Sequence, residues 1–396
     1  MRESSRLNHL GPYPFARWAE LVGSFGRRDV DLIRLDIGNP DMGPPADVIE
    51  TLCRSARRAG YHGYPEYRGT PALRQALARY YERRFGVGVD TDREVLALIG
   101  SKEGLINLSL ATLQFGDIAL IPDPGYTPYA RGAVLAGAEV YRFPLRQELG
   151  FLPDLEAIPP EVATAAVLIW LNYPNNPTGA TASLDFFTRA VDFARRHDLL
   201  LCHDAPYSEV THDGYRAPSL LQVPGAMEVA VEFNSLSKMC NMAGWRIGMV
   251  VGSANALAGL SKIKSNVDSG IFLPLQEAAM AALDTDSAWL HERNATYRSR
   301  LDLLVDGFRQ IGLAATRPEA TFYLWIRITN SNPGGTRSTG TSERFARMLL
   351  EETGIVVAPG SFFGPAGEGY IRVSATAPTK QIEEAAERLG AFQLPG

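Results

Sequence analysis

The stretch EFNSLSKMCNMAGWRIGMVVG, residues 232–252, decides how the chain is read. An apolar run, VAVEFNS (Val229–Ser235), ends in a hydroxyl. Ser237 and Lys238 follow at once, and Gly244-Trp245-Arg246 leads into a second apolar run, IGMVVG (Ile247–Gly252). Short runs that are apolar on both faces are the pattern of strands in a covered sheet. Four more stand upstream: VLALIG (Val95–Gly100), IALIP (Ile118–Pro122), AVLIWLN (Ala166–Asn172) and LLLCHD (Leu199–Asp204). Amphipathic segments lie between them. After TGATAS, Leu184, Phe187, Val191 and Ala194 form one stripe with Arg195 and Arg196 off it, which is the period of a helix. Alternating strands and helices predict an α/β fold whose mostly parallel sheet is covered by helices on both faces.

The pattern changes at both ends. After Asp284 come a long helical segment (Asp286–Ile311), the strand-like ATFYLWIRI, a further helix and GYIRVS. These predict a smaller α+β domain over residues 285–396, a large domain over 41–284, and an N-terminal segment, 1–40, folded onto the small domain. The Gly, Ser, Thr and Asn-rich segment Thr329–Ser342 reads as an exposed loop between a strand and a helix.

Composition excludes several classes of function. With 396 residues, 45% of them apolar, the chain can bury a large core. A net charge of −5 argues against a nucleic-acid binder, which carries a basic face. Cys53, Cys202 and Cys240 are far apart, giving neither a disulfide ladder nor metal-ligand spacing. No metal is expected. MRESSRLNHLGPYPFARW has no continuous apolar core of the kind a secretory signal carries, and no apolar run approaches the roughly 20 residues of a membrane helix. The expectation is a cytoplasmic protein.

In open parallel sheets ligands bind beyond the carboxyl ends of the strands. Each run here ends in polar groups: Ser101-Lys102, DPGYTPY, YPNNPTG, HDAPYSEV and SLSK. Lys238 is a candidate for a Schiff base with an aldehyde cofactor, because an amine with its pKa lowered by cations or burial becomes a nucleophile. A lone lysine is otherwise a solvated surface group, but the flanking motif outweighs that reading. Ser235, Ser237 and Arg246 would cup a phosphate. Ser101 and Lys102 open a helix whose free N–H groups suit the same anion, although Ser101 could equally be a simple N-cap. Asp204 ends an apolar strand and at that depth needs a partner. A protonated pyridine nitrogen would serve, keeping the ring an electron sink. Tyr207 and Asn176 could reach the ring's phenolic oxygen, and Tyr126 could stack on its face. The alternatives are a plain turn for NNPTG and a core aromatic for Tyr126. Arg372 offers a fork for a substrate carboxylate, or a structural ion pair. Gly38 lets backbone approach the same carboxylate.

Taken in order, LDIGNPDMGPP, GYPEYRGTPALR, GSKEG, DPGYTPY, YPNNPTG, HDAPYSEV, SLSK, NMAGWRIG, SNVDSGIFLPLQ, TFYLWIRI and GYIRVS resemble the fold-type I pyridoxal-phosphate aminotransferases of class I/II, nearly end to end. Within them the chain looks like the LL-diaminopimelate aminotransferase branch. The resemblance implies pyridoxal 5'-phosphate joined to Lys238, its nitrogen on Asp204, its ring oxygen on Asn176 and Tyr207, and its ring on Tyr126. Ser101, Lys102, Ser235, Ser237 and Arg246 would hold the phosphate, and Arg372, Asn176 and Gly38 the substrate carboxylate. Tyr64 would reach the phosphate of a neighbouring subunit, so a homodimer with shared active sites is implied. The implied reaction moves an amino group between an amino acid and a 2-oxo acid by ping-pong kinetics, with LL-diaminopimelate/glutamate or aspartate/alanine types both open. A Cβ–S lyase of the same fold and a non-enzymatic ligand sensor are the alternatives. The chain departs from the family after Lys238, where Met239 and Cys240 replace a small hydroxyl residue and an aromatic. Cys240 reads as a buried structural thiol.

Overall fold

The computed structural model describes residues 4–26, 31–328 and 341–393. Among these, the strands are β1 (Ile33–Arg34), β2 (Val95–Leu98), β3 (Ile118–Asp123), β4 (Glu139–Pro144), β5 (Ala166–Asn172), β6 (Leu200–Asp204), β7 (Ala230–Ser235), β8 (Gly248–Gly252), β9 (Tyr323–Arg327), β10 (Ile355–Val356), β11 (Ala358–Pro359) and β12 (Tyr370–Ser374). Seven of them form one sheet in the order β2-β8-β7-β6-β5-β3-β4. It is parallel except at β8, which runs antiparallel to both its neighbours.

The sheet forms where the sequence is apolar on both faces. β2 and β7 are buried at every position, and β5 and β6 at all but one each. Helices cover them. The helix Leu184–Arg196 starts at Ser183, whose hydroxyl accepts from Phe186 N, and lays Phe186, Phe187, Ala190, Val191, Phe193 and Ala194 on the sheet. Each fully buried aromatic contributes roughly 2–3 kcal/mol. Leu184, expected on the stripe, is 41% exposed, because Phe186 and Ala190 take the inward positions. β4 was not foreseen. It is an edge strand with only Phe143 fully buried, so its run EVYRFP carries no two-faced apolar signature.

β9, β11 and β12 make a second, antiparallel sheet. The long helix Ser287–Gln310 leads toward it, and β1 pairs with β10 beside it. Trp18, Val22 and Phe25, on the helix Pro14–Gly26, share a core with Leu301, Phe345 and Ile371. Of the expected loop Thr329–Ser342, residues 329–340 lie outside the described residues. Thr341 caps, and Ser342 begins, the helix Ser342–Thr353. No helix among the described residues is long and apolar enough to cross a membrane.

Candidate active site

The carboxyl ends of β2, β5, β6 and β7 converge with β12 on one cavity of about 390 Å³. Its walls include Gly38, Ser101, Tyr126, Asn176, Asp204, Tyr207, Ser235, Ser237, Lys238, Arg246 and Arg372. A larger cavity, about 690 Å³, lies behind Lys238 against Met239, Cys240 and Glu209 and holds none of the expected residues. Chemistry therefore gathers in the smaller one.

At one end is a cup of donors. Gly100 (φ 72°) precedes the helix Ser101–Thr112, so Ser101 is its first residue and not its cap. A Cβ on Gly100 would stand 2.2 Å from Arg246 Nη2, so only glycine lets the arginine close on the helix start. Arg246 itself is left-handed (φ 56°), a strained state for an arginine. Its Nη1 donates to Ala243 O at 2.8 Å and more weakly to Ser237 Oγ at 3.4 Å. Ser235 Oγ accepts from Ser237 N at 3.2 Å. Lys102 also lines the cavity, its Nζ 5.1 Å from the centre of the Tyr13 ring.

In the middle stand the two charged groups. Asp204 ends β6 and is 3% exposed. Tyr129 donates to its Oδ2 at 2.8 Å and stacks on Trp170 at 4.9 Å. Oδ1 is buried with no partner among the described residues. Burial pushes the carboxyl up to about 6, against the pull of Tyr129 and His203. Lys238 Nζ donates to Gly38 O at 2.5 Å. Burial first, then the charges of Arg372 and Arg246, bring its amine down to about 8. Tyr207 and Tyr323 share a hydroxyl contact of 3.0 Å, and burial raises the Tyr207 phenol well above its ordinary range. Tyr126 meets Tyr129 edge-on. Cys240 is buried, its thiol 3.4 Å from Ala282 O and pushed by burial to about 12, so it is no nucleophile.

At the other end Arg372, 4% exposed on β12, donates to Asn176 Oδ1 at 2.7 Å and Asp36 O at 2.8 Å. Its Nε has no partner among the described residues. The rings of Tyr323, Phe363 and Phe15 surround it at 4.2, 4.7 and 5.8 Å. It has no carboxylate partner among the described residues, so the structural ion pair is not what is found. Gly38 is forced to be glycine, since a Cβ there would fall 1.8 Å from Tyr323 Oη. Tyr64, by contrast, is 92% exposed and does not line this chain's cavity.

Sequence reasoning missed Tyr129, Asn172 and Tyr323. Asn172 Nδ2 donates to Asp204 O at 2.6 Å and its Oδ1 accepts from Asn176 N at 2.8 Å, joining two strand ends. Its signal was the terminal position of a two-faced strand. That of Tyr129 was the second tyrosine of DPGYTPY.

These residues fit pyridoxal phosphate. The orphaned Asp204 Oδ1 suits a ring cation, the amine of Lys238 an aldehyde, and the Gly100–Arg246 cup a phosphate. Comparison with known proteins agrees. The family model for aminotransferase class I and II matches residues 30–389. An LL-diaminopimelate aminotransferase of Moorella thermoacetica is 49% identical over 389 residues, 98% of each chain. One from Dehalococcoides mccartyi is 46% identical over 99% of each. Among solved structures, substrate-bound BacF from Bacillus subtilis superposes with a TM-score of 0.93 at 34% identity, covering 100% of this chain and 98% of that one. Aspartate aminotransferase from Thermus thermophilus with maleate gives 0.89 at 29%, covering 99% and 100%.

Proposed function

The chain belongs to the class I and II aminotransferases, a family that generally uses pyridoxal phosphate, and from that premise we propose that Lys238 carries the cofactor and moves the proton of transamination. The observation that carries this is one cavity holding a lysine lowered to about 8, a carboxylate with a free buried oxygen, and an arginine with no acidic partner. When bound, pyridoxal phosphate supplies an aldehyde for attachment and a ring that takes up electrons from the substrate's Cα.

The protein's own residues do the rest. Arg372, steadied by Asn176 Oδ1 and ringed by three aromatics, holds the amino acid's carboxylate away from bulk water. Lys238 Nζ takes the Cα proton and returns it elsewhere, as base and then acid. With its pKa at about 8, roughly one amine in ten is neutral at pH 7, against fewer than about one in a thousand at the ordinary value. Tyr129 and Asn172 fix Asp204, whose free oxygen would hold the ring nitrogen. Tyr207 and Asn176 would hold the ring oxygen, Tyr126 the ring face, and Ser101, Lys102, Ser235, Ser237 and Arg246 the phosphate.

We assign LL-diaminopimelate as the amino acid, on the strength of relatives 44–49% identical over nearly the whole chain, with glutamate as the exchange partner that the family resemblance implies. A homodimer is supported by exposed Tyr64, Tyr67, Val267 and Phe272, on two segments that touch where Gly270 meets Glu66. The test is a half-reaction screen. Protein loaded with pyridoxal phosphate is mixed with LL-diaminopimelate, glutamate, aspartate or alanine, and its visible absorbance is followed. LL-diaminopimelate and glutamate should bleach the band and K238A should give none. A band unmoved by any amino acid refutes the assignment of Lys238, and bleaching only by aspartate or alanine refutes the substrate.

A further inference from the structure

We infer that Arg293 is a positioning residue for Lys238, holding its backbone from the far side of the cavity wall while the side chain works. This rests on the assignment of Lys238 above. Arg293 lies on the long helix Ser287–Gln310 and is 3% exposed. Its Nη1 donates to Lys238 O at 2.9 Å and also to Met239 O. Its Nη2 donates to Glu209 O and to Asn294 Oδ1. Among the described residues it forms no ion pair, and its plane lies 5.4 Å from the Trp289 ring. A buried guanidinium that spends its donors on main-chain carbonyls is acting as a helix cap. The one-turn helix Leu236–Met239 ends with carbonyls that it cannot satisfy itself, and a cation there also meets the negative end of the helix dipole.

Two further residues lie on the same stripe of the long helix, at i+4 and i+7. Tyr297 Oη donates to Asn241 Oδ1 at 3.4 Å. Arg300 grips Asp41 with contacts of 2.7 and 3.0 Å. Asp41 is three residues from Gly38, whose carbonyl receives the Lys238 amine. One rigid helix therefore holds the backbone at 238 and 239, the side chain of Asn241 and the segment against which the amine rests. Seven residues of helix fix that separation at roughly 10 Å. At 238 and 239 Arg293 reads carbonyls and not side chains, so its contact tolerates Met239 at a position where the family usually has another residue.

A lysine that accepts a proton at one atom and delivers it at another needs a fixed root, since a displacement of about 1 Å can reduce rate by up to ~10²-fold. The test compares R293M, R293K and R388M. Arg388 also caps a helix end, donating to Thr353 O at 2.9 Å, but lies on the helix Thr379–Ala391 and does not line the cavity. Two readings are taken: the rate at which cofactor-free protein takes up pyridoxal phosphate, by visible absorbance, and kcat with KM for the amino donor. In R293M, uptake and kcat should fall about tenfold or more while KM stays within about twofold. R293K, which keeps a charge but loses the fork, should fall between it and wild type. R388M should lower the melting temperature and leave both readings alone. If R293M does not accumulate folded, R293K decides, and a wild-type kcat and uptake there overturn the inference. Equal loss in R388M at an equal drop in melting temperature overturns it too. A wild-type protein that takes up no cofactor overturns the assignment of Lys238, and this inference with it.

Discussion

Replacing Lys238 with methionine should make the cofactor-free protein more stable at neutral pH. The amine is enclosed at the base of the cavity, with two arginines as its nearest charges and no carboxylate to offset them. Its pKa is brought from 10.5 to about 8, so the folded state resists a charge that the unfolded chain accepts freely. At about 1.36 kcal/mol per unit, that difference sets an upper bound of roughly 3 kcal/mol. The cavity admits water, which screens part of the penalty, and methionine abandons the bond to Gly38 O, worth about 1 kcal/mol. A gain of about 2 kcal/mol remains, or roughly 2–4 °C in melting temperature for a chain of this size. The pH dependence identifies the cause. A lysine depressed in the folded state carries its full penalty below the folded pKa, and sheds it as pH rises from about 8 toward 10.5. Urea unfolding of both cofactor-free proteins at pH 7 and pH 10 measures the difference directly. A K238M protein no more stable than wild type at pH 7, or an advantage that persists undiminished at pH 10, would refute the reasoning.

Asp204 should show the opposite slope. Its pKa is raised to about 6, so its penalty is absent below about 4 and complete above about 6. D204N should therefore stabilise the cofactor-free protein at pH 7 and not at pH 4, by urea unfolding, while removing turnover. Gly100→Ala adds a methyl 2.2 Å from Arg246 Nη2 at a left-handed φ of 72°. The cup must open, and the dissociation constant for pyridoxal phosphate, measured by equilibrium dialysis, should rise at least about tenfold, the equivalent of ~1.4 kcal/mol. Arg372→Lys keeps the charge but loses the fork that meets Asn176 Oδ1 and Asp36 O together. KM for amino acids should rise by about 10- to 100-fold, with a smaller change in kcat.

The site was legible because it is built at strand ends. A two-faced apolar run announces a buried strand, and the first polar residue after it lands on one edge of the sheet. Asp204, Asn176, Ser235 and Lys238 were all readable in this way. Elements without that signature were not. β4 is half-solvated, and its alternating EVYRFP resembles a loop. Tyr129 touches Asp204 across 75 positions of sequence, and Arg293 reaches Lys238 across 55. Neither has a local period that could betray its partner. Arg293 is harder still, because it binds carbonyls, which every residue possesses. Ser101 opens its helix as read, and the alternative of a simple N-cap gives way because Gly100 takes the cap position.

The two buried charges also explain why the fold invests so much packing around this cavity. Asp204 is disfavoured above about 6 and Lys238 below about 8, so between those values both are charged and both penalties act at once. Neither is the other's counter-charge; burial comes first for both, with Arg372 and Arg246 adding to the shift of Lys238 and Tyr129 and His203 opposing that of Asp204. Neutral pH is therefore where the charged cavity opposes folding most. That is also where the reaction needs an ionised Asp204 and a fraction of neutral Lys238. The opposition is carried by strands buried at nearly every position, by Tyr129 stacked on Trp170, and by a guanidinium locked onto the backbone of the lysine itself. A ligand that brings a cation to Asp204 Oδ1 and turns the Lys238 amine into a covalent link removes both penalties together. Its binding should stabilise the protein most at the pH where the cofactor-free form is most burdened.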